Sequence, residues 1–159
     1  MVIVCCRCCF GKAHLMKITI LVAHLVFVGV WLGCVFTEAL FERALLGTGR
    51  EHERILARLH KRVDVWIEIP AFSGVLVTGG FLLTHAAGSP TLQAKVMFAL
   101  IAVMANVYCV SLVFRRAKAA DAEDWPQFEA LDQVQHKWGA VVLAGMLVAL
   151  GLGVSLIGK

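Results

Sequence analysis

The sequence has little charge for its length. Of its 159 residues, 16% are Asp, Glu, Lys or Arg, whereas 60% are apolar. Soluble globular domains carry roughly a quarter charged residues and fewer apolar ones, so this composition excludes a soluble fold for most of the chain. Proline is also scarce, with three residues. Because proline breaks the hydrogen-bond ladder of a helix, its scarcity permits long uninterrupted helices.

Signatures of hydrolases and of nucleotide or phosphate binding are also missing from the sequence. Glycines at positions 79, 80, 145, 151 and 153 lie inside apolar runs, where we expect them to permit close contact between helices. Gly29 and Gly33 form a GxxxG pair, which supports packing within a bundle or in a homodimer. The net charge of +4 is typical of the basic loops of membrane proteins and indicates no nucleic-acid partner.

Four apolar runs are present, at about residues 18–37, 63–83, 96–114 and 138–157. About 20 apolar residues suffice for a helix to cross the roughly 30 Å hydrocarbon core of a bilayer. A short neutral turn containing Pro90 joins the second and third runs, and the other two connections are long and charged. The sequence therefore predicts an all-α, polytopic membrane protein, an antiparallel bundle of four transmembrane helices in a lipid bilayer.

Basic residues are distributed unevenly between the two sides of the predicted bundle. One side carries Arg43, Arg50, Arg54, Arg58, Lys61, Arg62, Arg115, Arg116, Lys118 and Lys137. The other side carries Arg7, Lys12, Lys17, Lys95 and Lys159. Since Lys and Arg accumulate on the cytoplasmic side, we expect a bacterial inner-membrane protein with both termini and the Pro90 turn in the periplasm.

The N-terminus contains a cluster of cysteines. They are Cys5, Cys6, Cys8 and Cys9. Adjacent thiols are suited to binding a soft metal or carrying acyl chains, and the alternative is an extension without a function. Residues 1–16 are therefore separated from a transmembrane domain at 17–159. Cys34 and Cys109 lie inside spans and are interpreted as small core residues.

Histidine occurs inside the first span. His24 has only apolar neighbours, and Trp31 follows seven residues later on the same face. Ionisable groups inside a membrane are costly and mark functional sites, so His24 is interpreted as a metal or haem ligand or a proton relay. The alternative is a hydrogen bond to a facing carbonyl. On the same side, His85 and Lys95 flank the Pro90 turn. Each taken alone is expected to reach the interface, but with His24 they form a set that suits a porphyrin or an anionic ligand.

Acidic and histidine residues recur at a spacing of four near the opposite side. The pairs and stripe are Glu38–Glu42, Asp132–His136 and His60–Asp64–Glu68. Residues four apart share a helix face, and carboxylate–histidine sets in four-helix bundles hold metals. The metal-site hypothesis names His60, Asp64, Glu68 and His136, with His24 as a separate candidate. The alternative is ion pairing with nearby basic residues. Glu68 lies close to Pro70 within a span and needs a buried partner, for which His136, Arg115 and Arg116 are candidates.

Several short motifs resemble one membrane-protein family. Lys17, His24, Trp31 and Gly33 are similar to the start of the four-helix superfamily of copper-resistance D-like proteins and HemJ-type protoporphyrinogen oxidases. The second span, with Asp64-Val-Trp66, Pro70-Ala and Thr78-Gly, looks like that of an uncharacterised branch of the superfamily. Lys95 matches the lysine that opens the family's third span. The resemblance covers about residues 17–115.

The resemblance implies haem b bound through His24, with Lys95 near a porphyrin carboxylate or the reacting centre. His85, Trp31, Asn106 and Tyr108 complete the expected cofactor site. Asn106 stands where HemJ-type proteins usually carry a histidine, and the fourth span ends in Gly158-Lys159 instead of Lys-Pro. An oxidoreductase acting on porphyrin or an electron-transfer partner is the activity it implies. Two alternatives stay open: a metal-handling or transport protein, and a non-catalytic subunit of a larger membrane complex.

Overall fold

The computed structural model describes the backbone of residues 4–84, 86 and 88–157 and the side chains of residues 15–84, 86 and 88–156. Its helices are α1 (Val4–Leu45), α2 (Arg50–Val63), α3 (Ile69–Thr84), α4 (Pro90–Asp121) and α5 (Trp125–Ile157). A π-helical turn, Asp64–Glu68, joins α2 to α3 without a break. The described residues contain no strand. The predictions on the cysteine side chains at positions 5, 6, 8 and 9 and on His85 lie outside the described residues.

The helices include four segments long and apolar enough to cross a membrane. They are Leu15–Leu45, Arg50–Thr84, Pro90–Asp121 and Trp125–Leu156. Large apolar side chains point outward along these segments; Val26, Val77, Met104 and Val154 are between 58% and 69% exposed. An apolar exterior of this extent suits contact with lipid. The predicted all-α membrane protein with four spanning helices is confirmed.

The two charged connections are mostly helical, which the apolar runs alone do not predict. α1 and α2 are separated by residues 46–49, and α4 and α5 by residues 122–124. Gly47 (φ 75°) and Gly49 (φ 131°) make the first turn possible, because glycine has no Cβ and adopts positive φ at little cost. The length of an apolar run indicates only the part of a helix that contacts lipid. It therefore underestimates the full length of a helix that extends beyond the membrane as a charged segment.

The short turn before α4 has a sequence-encoded helix start. The Ser89 hydroxyl accepts a hydrogen bond from the Leu92 N–H at 3.2 Å, and Pro90 occupies the first helical position. This combination satisfies one free N–H and presets the backbone for a helix.

The bundle core is a layer of apolar side chains near its middle. Its buried members are Trp31, Ala71, Phe72, Val75, Ala102, Val103, Ala105, Val142 and Met146. A second cluster at the charged end consists of Ala57, Leu112, Ala117, Ala119, Ala120, Phe128 and Leu131. Helix α1 packs mainly on α3, α4 packs mainly on α5, and α2 packs on α4. The many alanines allow close approach of helices, so polar side chains at neighbouring levels are held within reach of one another.

Glycines support this packing at some predicted positions but not at others. A Cβ at Gly145 would lie 3.0 Å from the Ala102 Cβ and 3.2 Å from the Phe98 carbonyl oxygen. Gly79 and Gly153 are similarly close to side chains of neighbouring helices. In contrast, a Cβ at positions 29, 33, 80 or 151 would have no described atom within 4 Å. The GxxxG pair of α1 therefore makes no close contact within the described bundle.

Candidate functional site

Polar side chains are buried together where the four spans meet below the charged end. The buried polar residues are Glu53, His60, Asp64, Glu68, Asn106, Arg116, Asp132 and Gln135. Many of them line a cavity of about 240 Å³. We call this the acid cavity and define it by Glu38, Glu42, His60, Asp64, Glu68, Asn106, Gln135 and His136. The predicted stripe His60–Asp64–Glu68 thus faces the interior, as its spacing of four suggests.

One half of the acid cavity is electrically compensated. The Arg116 side chain is fully buried and donates hydrogen bonds to Glu42 Oε1 at 3.1 Å and to Asp132. His136 Nε2 lies 3.1 Å from Glu42 Oε2, and His136 Nδ1 lies 3.5 Å from Asp132 Oδ2. Two carboxylates and a guanidinium in contact offset one another's desolvation. This half is therefore a structural ion-pair network.

The other half lacks such compensation. Glu38, Asp64 and Glu68 each bring a carboxylate oxygen to within 4.8 Å of the other two, and we call them the carboxylate triad. Among the described residues, no Lys or Arg nitrogen lies within 4.0 Å of these oxygens, and the nearest basic atom is His60 Nε2, 3.9 Å from Glu38 Oε2. Asp64 is 1% exposed and Glu68 is 3% exposed, so bulk solvent does little to screen their charges.

Several polar atoms around the triad have no hydrogen-bond partner within the part of the chain that the structure describes. They are Glu38 Oε1, both Asp64 carboxylate oxygens, His60 Nε2, Asn106 Nδ2 and Gln135 Oε1. Buried polar atoms in native proteins are nearly always hydrogen-bonded. Because these atoms line one cavity and come from all four spans, they retain capacity for a shared polar ligand.

The tautomer of His60 follows from its contact with Arg116. An Arg116 Nη2 group contacts His60 Nδ1, and since guanidinium nitrogens only donate, Nδ1 must accept. A neutral His60 ring then carries its proton on Nε2, the atom nearest Glu38. His60 therefore presents an N–H to the triad. To act as the metal ligand that the sequence predicts, it would need the other tautomer and would lose the Arg116 hydrogen bond.

The π-helical turn positions two triad members. Pro70 has no N–H, and its ring clashes with a carbonyl four residues earlier in a regular helix, here Trp66. The Ile69 N–H instead bonds to the Asp64 carbonyl, one residue further back than in an α-helix. π-helical turns of this kind recur at functional sites. The turn Asp64–Glu68 begins and ends with a triad carboxylate.

The buried partner of Glu68 differs from those predicted. Trp31 Nε1 donates a hydrogen bond to Glu68 Oε1 at 3.2 Å. Neither Arg115 nor His136 forms an ion pair with Glu68, and Arg116 pairs with Glu42 and Asp132 instead. Trp31 lies seven residues before Glu38 on α1, so both share the interior face. The spacing of seven between Trp31 and Glu38 is the sequence signal that could have placed Trp31 at the same polar interior as Glu68.

A second polar site surrounds His24 at the other end of the bundle. The Thr78 hydroxyl donates to the Gly74 carbonyl at 2.6 Å and lies 2.9 Å from His24 Nδ1. Because the hydroxyl has one proton, His24 Nδ1 donates to it, and the neutral ring keeps a lone pair on Nε2. His24 and Lys95 together line two cavities of about 120 and 220 Å³, so the predicted pairing of these two residues is found.

The predicted cofactor residues are divided between the two sites. Trp31 lines the smaller cavity beside His24, whereas Asn106 lines the acid cavity. Tyr108 packs against Trp138 with ring centroids 5.1 Å apart. The fourteen residues from His24 to Glu38 correspond to about 21 Å along α1. His24 is therefore too far from the carboxylate triad to share a ligand with it. Of the residues predicted as metal ligands, His24 lies alone, and the others line the acid cavity.

Four helices that are long and apolar enough to span a bilayer define the chain as a multi-pass α-helical membrane protein. Its interior contains ionisable side chains. Comparisons with protein-family models, with curated proteins and with solved structures return no match. The chemistry of the two sites is therefore the basis for the function proposed below.

Proposed function

We propose that this protein is a cation-handling membrane protein whose acid cavity takes up a hard divalent cation in exchange for protons. The observation that carries the proposal is the carboxylate triad, in which Asp64 and Glu68 are buried and Glu38 is partly buried. The triad lacks a Lys or Arg partner among the described residues and faces unpartnered polar atoms. This is the metal-handling alternative from the sequence, with Glu38 added to the predicted ligands Asp64 and Glu68.

The charge of the triad supports an exchangeable cation. Two like charges within 4.8 Å of each other repel by at least about 3.5 kcal/mol at an effective dielectric constant of about 20, and the triad contains three such pairs. Three bare carboxylates are therefore not sustainable there. Protons offset the repulsion without a metal, and a divalent ion offsets it by replacing them. Metal binding to such a site releases protons.

The donor atoms support a hard cation. Carboxylate and amide oxygens suit Mg²⁺, Ca²⁺ and Mn²⁺, whereas thiolates and imidazoles favour softer ions. The triad supplies carboxylates, and Asn106 and Gln135 place amide groups at the same cavity. His60 turns an N–H toward the triad in the tautomer that its contact with Arg116 requires, so it is not one of the proposed metal ligands.

Manganese binding is the direct test. The purified protein in detergent is titrated with Mn²⁺, free metal is followed by electron paramagnetic resonance, and proton release is measured in weak buffer. We expect binding coupled to proton release, and a loss of both in Asp64→Asn and Glu68→Gln. Glu51→Gln is the matched control, because Glu51 is an acid with a 74% exposed side chain outside the cavity. Wild-type protein that neither binds Mn²⁺ nor releases protons would refute the proposal.

Haem binding at His24 is the second candidate function, and the hydrogen bonding of the His24 ring favours it. Its Nδ1 is held by Thr78, which orients the ring in the way a second hydrogen bond orients axial and metal-binding histidines. The adjoining cavities of about 120 and 220 Å³ are each below the roughly 300–1,000 Å³ of typical ligand sites. A porphyrin therefore requires the helices around His24 to separate, which ranks this candidate second.

An optical spectrum tests the haem candidate. Protein expressed with ample haem is recorded oxidised and then reduced with dithionite, next to His24→Ala and the control His52→Ala. A Soret band that shifts on reduction and disappears only in His24→Ala would support haem b as the cofactor. A featureless spectrum would eliminate this candidate and leave the acid cavity as the functional site.

We further propose that the charged end lies in the cytoplasm of a bacterial inner membrane, with the Pro90 turn and both termini in the periplasm. The distribution of Lys and Arg supports this orientation. In this orientation the acid cavity lies near the cytoplasmic side and the His24 site near the periplasmic side.

A further inference from the structure

A groove between α2 and α4 lies on the outer surface of the charged end, away from the acid cavity. It consists of two adjoining cavities of about 350 and 450 Å³ that share Lys61 and Asp121. We call it the basic groove, lined by Arg62 and Trp66 on one side and by Arg115 and Lys118 on the other.

The basic groove carries uncompensated positive charge. Asp121 accepts hydrogen bonds from Arg58 at 3.1 and 2.9 Å, so its negative charge is compensated by Arg58. Lys61, Arg62, Arg115 and Lys118 are exposed, and none has a carboxylate within 4.0 Å among the described residues. By contrast, the other arginines of α2 and the buried one of α4 are paired with acids. Four free cations around one depression favour an anionic ligand.

Aromatic surface adjoins these cations on the membrane side. Trp66 is 79% exposed and lies one turn beyond Arg62 toward the bilayer. Phe114 is 40% exposed, directly precedes Arg115, and has Lys61 Nζ 5.3 Å from its ring centroid. Exposed tryptophan next to basic residues is characteristic of the boundary between acyl chains and headgroups. The groove thus offers charge, with apolar contact beside it on the membrane side.

We propose that the basic groove binds the headgroup of an anionic phospholipid from the leaflet at the charged end. The phosphate contacts the lysine and arginine side chains, while the adjoining acyl region packs against Trp66 and Phe114. Basic pockets between transmembrane helices bind anionic headgroups in this way. A free phosphate ion would use the cations alone, so the aromatic residues distinguish a lipid from a small anion.

Lipid binding is measured by native mass spectrometry of the detergent-purified protein titrated with phosphatidylglycerol or phosphatidylcholine. The groove variant is Lys61→Gln/Arg115→Gln. The matched control is Arg43→Gln/Lys137→Gln, which removes two exposed cations from the same end but outside the groove. We expect the groove variant to bind phosphatidylglycerol on the order of thirtyfold more weakly than wild type. The control should bind as wild type does, and phosphatidylcholine should bind weakly throughout.

Equal loss of phosphatidylglycerol binding in both double variants would overturn the proposal, because binding would then depend on the net charge of this end and not on a specific site. No loss in the groove variant would overturn it as well. Lys61→Arg/Arg115→Lys retains the charges and should retain binding, which shows that a loss in the groove variant is not misfolding. Trp66→Ala should weaken phosphatidylglycerol binding. Displacement of phosphatidylglycerol by millimolar inorganic phosphate, with no effect of Trp66→Ala, would assign the groove to a small anion and overturn the lipid.

Discussion

Trp31 of α1 donates its indole N–H to Glu68 Oε1 at a distance of 3.2 Å. The same indole belongs to the apolar layer at the middle of the bundle and is 3% exposed. One side chain therefore bonds to a residue that lines the acid cavity and itself lines the smaller His24 cavity. It separates the two polar sites and fixes a triad carboxylate in place.

Replacing Trp31 by Phe keeps an aromatic ring but removes the N–H. We expect a loss of about 1–3 kcal/mol of stability, because a buried carboxylate oxygen would lose its donor. The measurement is the midpoint of unfolding in a titration with denaturing detergent. Trp66→Phe is the control, since Trp66 is 79% exposed. Equal midpoints for the two variants would show that the Trp31–Glu68 hydrogen bond contributes no stability.

Arg116 is the buried positive charge of the ion-pair network. Arg116→Met should destabilise the bundle by about 3–5 kcal/mol, because Glu42 and Asp132 would lose the buried guanidinium that offsets their charges. Adding Asp132→Asn to that variant should restore part of the loss, since one of the two stranded charges is removed. Unfolding midpoints of the single and double variants measure this. A double variant less stable than Arg116→Met would contradict the assigned pairing.

Much of the fold could be predicted from the sequence, because a run of about 20 apolar residues defines a span locally. The helical nature of the charged ends could not, because the apolar pattern reports contact with lipid and not the length of the helix. Gly29 and Gly33 illustrate a similar limit. Their spacing indicates a packing face, but whether a neighbouring helix occupies that face depends on the rotation of α1 in the bundle.

The candidate site was predictable in part for the same reason. The spacing of His60, Asp64 and Glu68 places them on one face whatever the tertiary structure. Which groups they meet depends on the relative rotation and axial position of four helices. The pairing of His60 with Arg116 and the location of Asn106 in the acid cavity are relationships of that kind. The family resemblance implies that Asn106 lies with His24 at one cofactor site, whereas the structure places the two residues at different cavities.

The exchange of protons for metal predicts a specific dependence on pH. Mn²⁺ affinity should fall as the pH is lowered, because protons compete for the triad oxygens. The number of protons released for each Mn²⁺ bound should fall as the pH is raised, since fewer triad oxygens are then protonated. Titrations at several pH values in two buffers of different ionisation enthalpy give the proton count. Affinity independent of pH would mean that the triad is not the metal site.

Gly145 lies where α5 packs closely against α4. Because a Cβ there would lie 3.0 Å from the Ala102 Cβ and 3.2 Å from the Phe98 carbonyl oxygen, Gly145→Ala should force the two helices apart. We expect a cost of about 1–3 kcal/mol, the usual range for overpacking a tight core. Gly29→Ala is the matched control within the same class of spanning helix, since a Cβ there meets no described atom within 4 Å. That substitution should be neutral or slightly stabilising, because alanine has the higher helix propensity. The measurement is the unfolding midpoint of each variant. A lower midpoint for Gly145→Ala beside an unchanged midpoint for Gly29→Ala would support the close contact of α4 and α5. The reverse order would mean that this contact is wrong and that the Gly29 face is the one in tight contact.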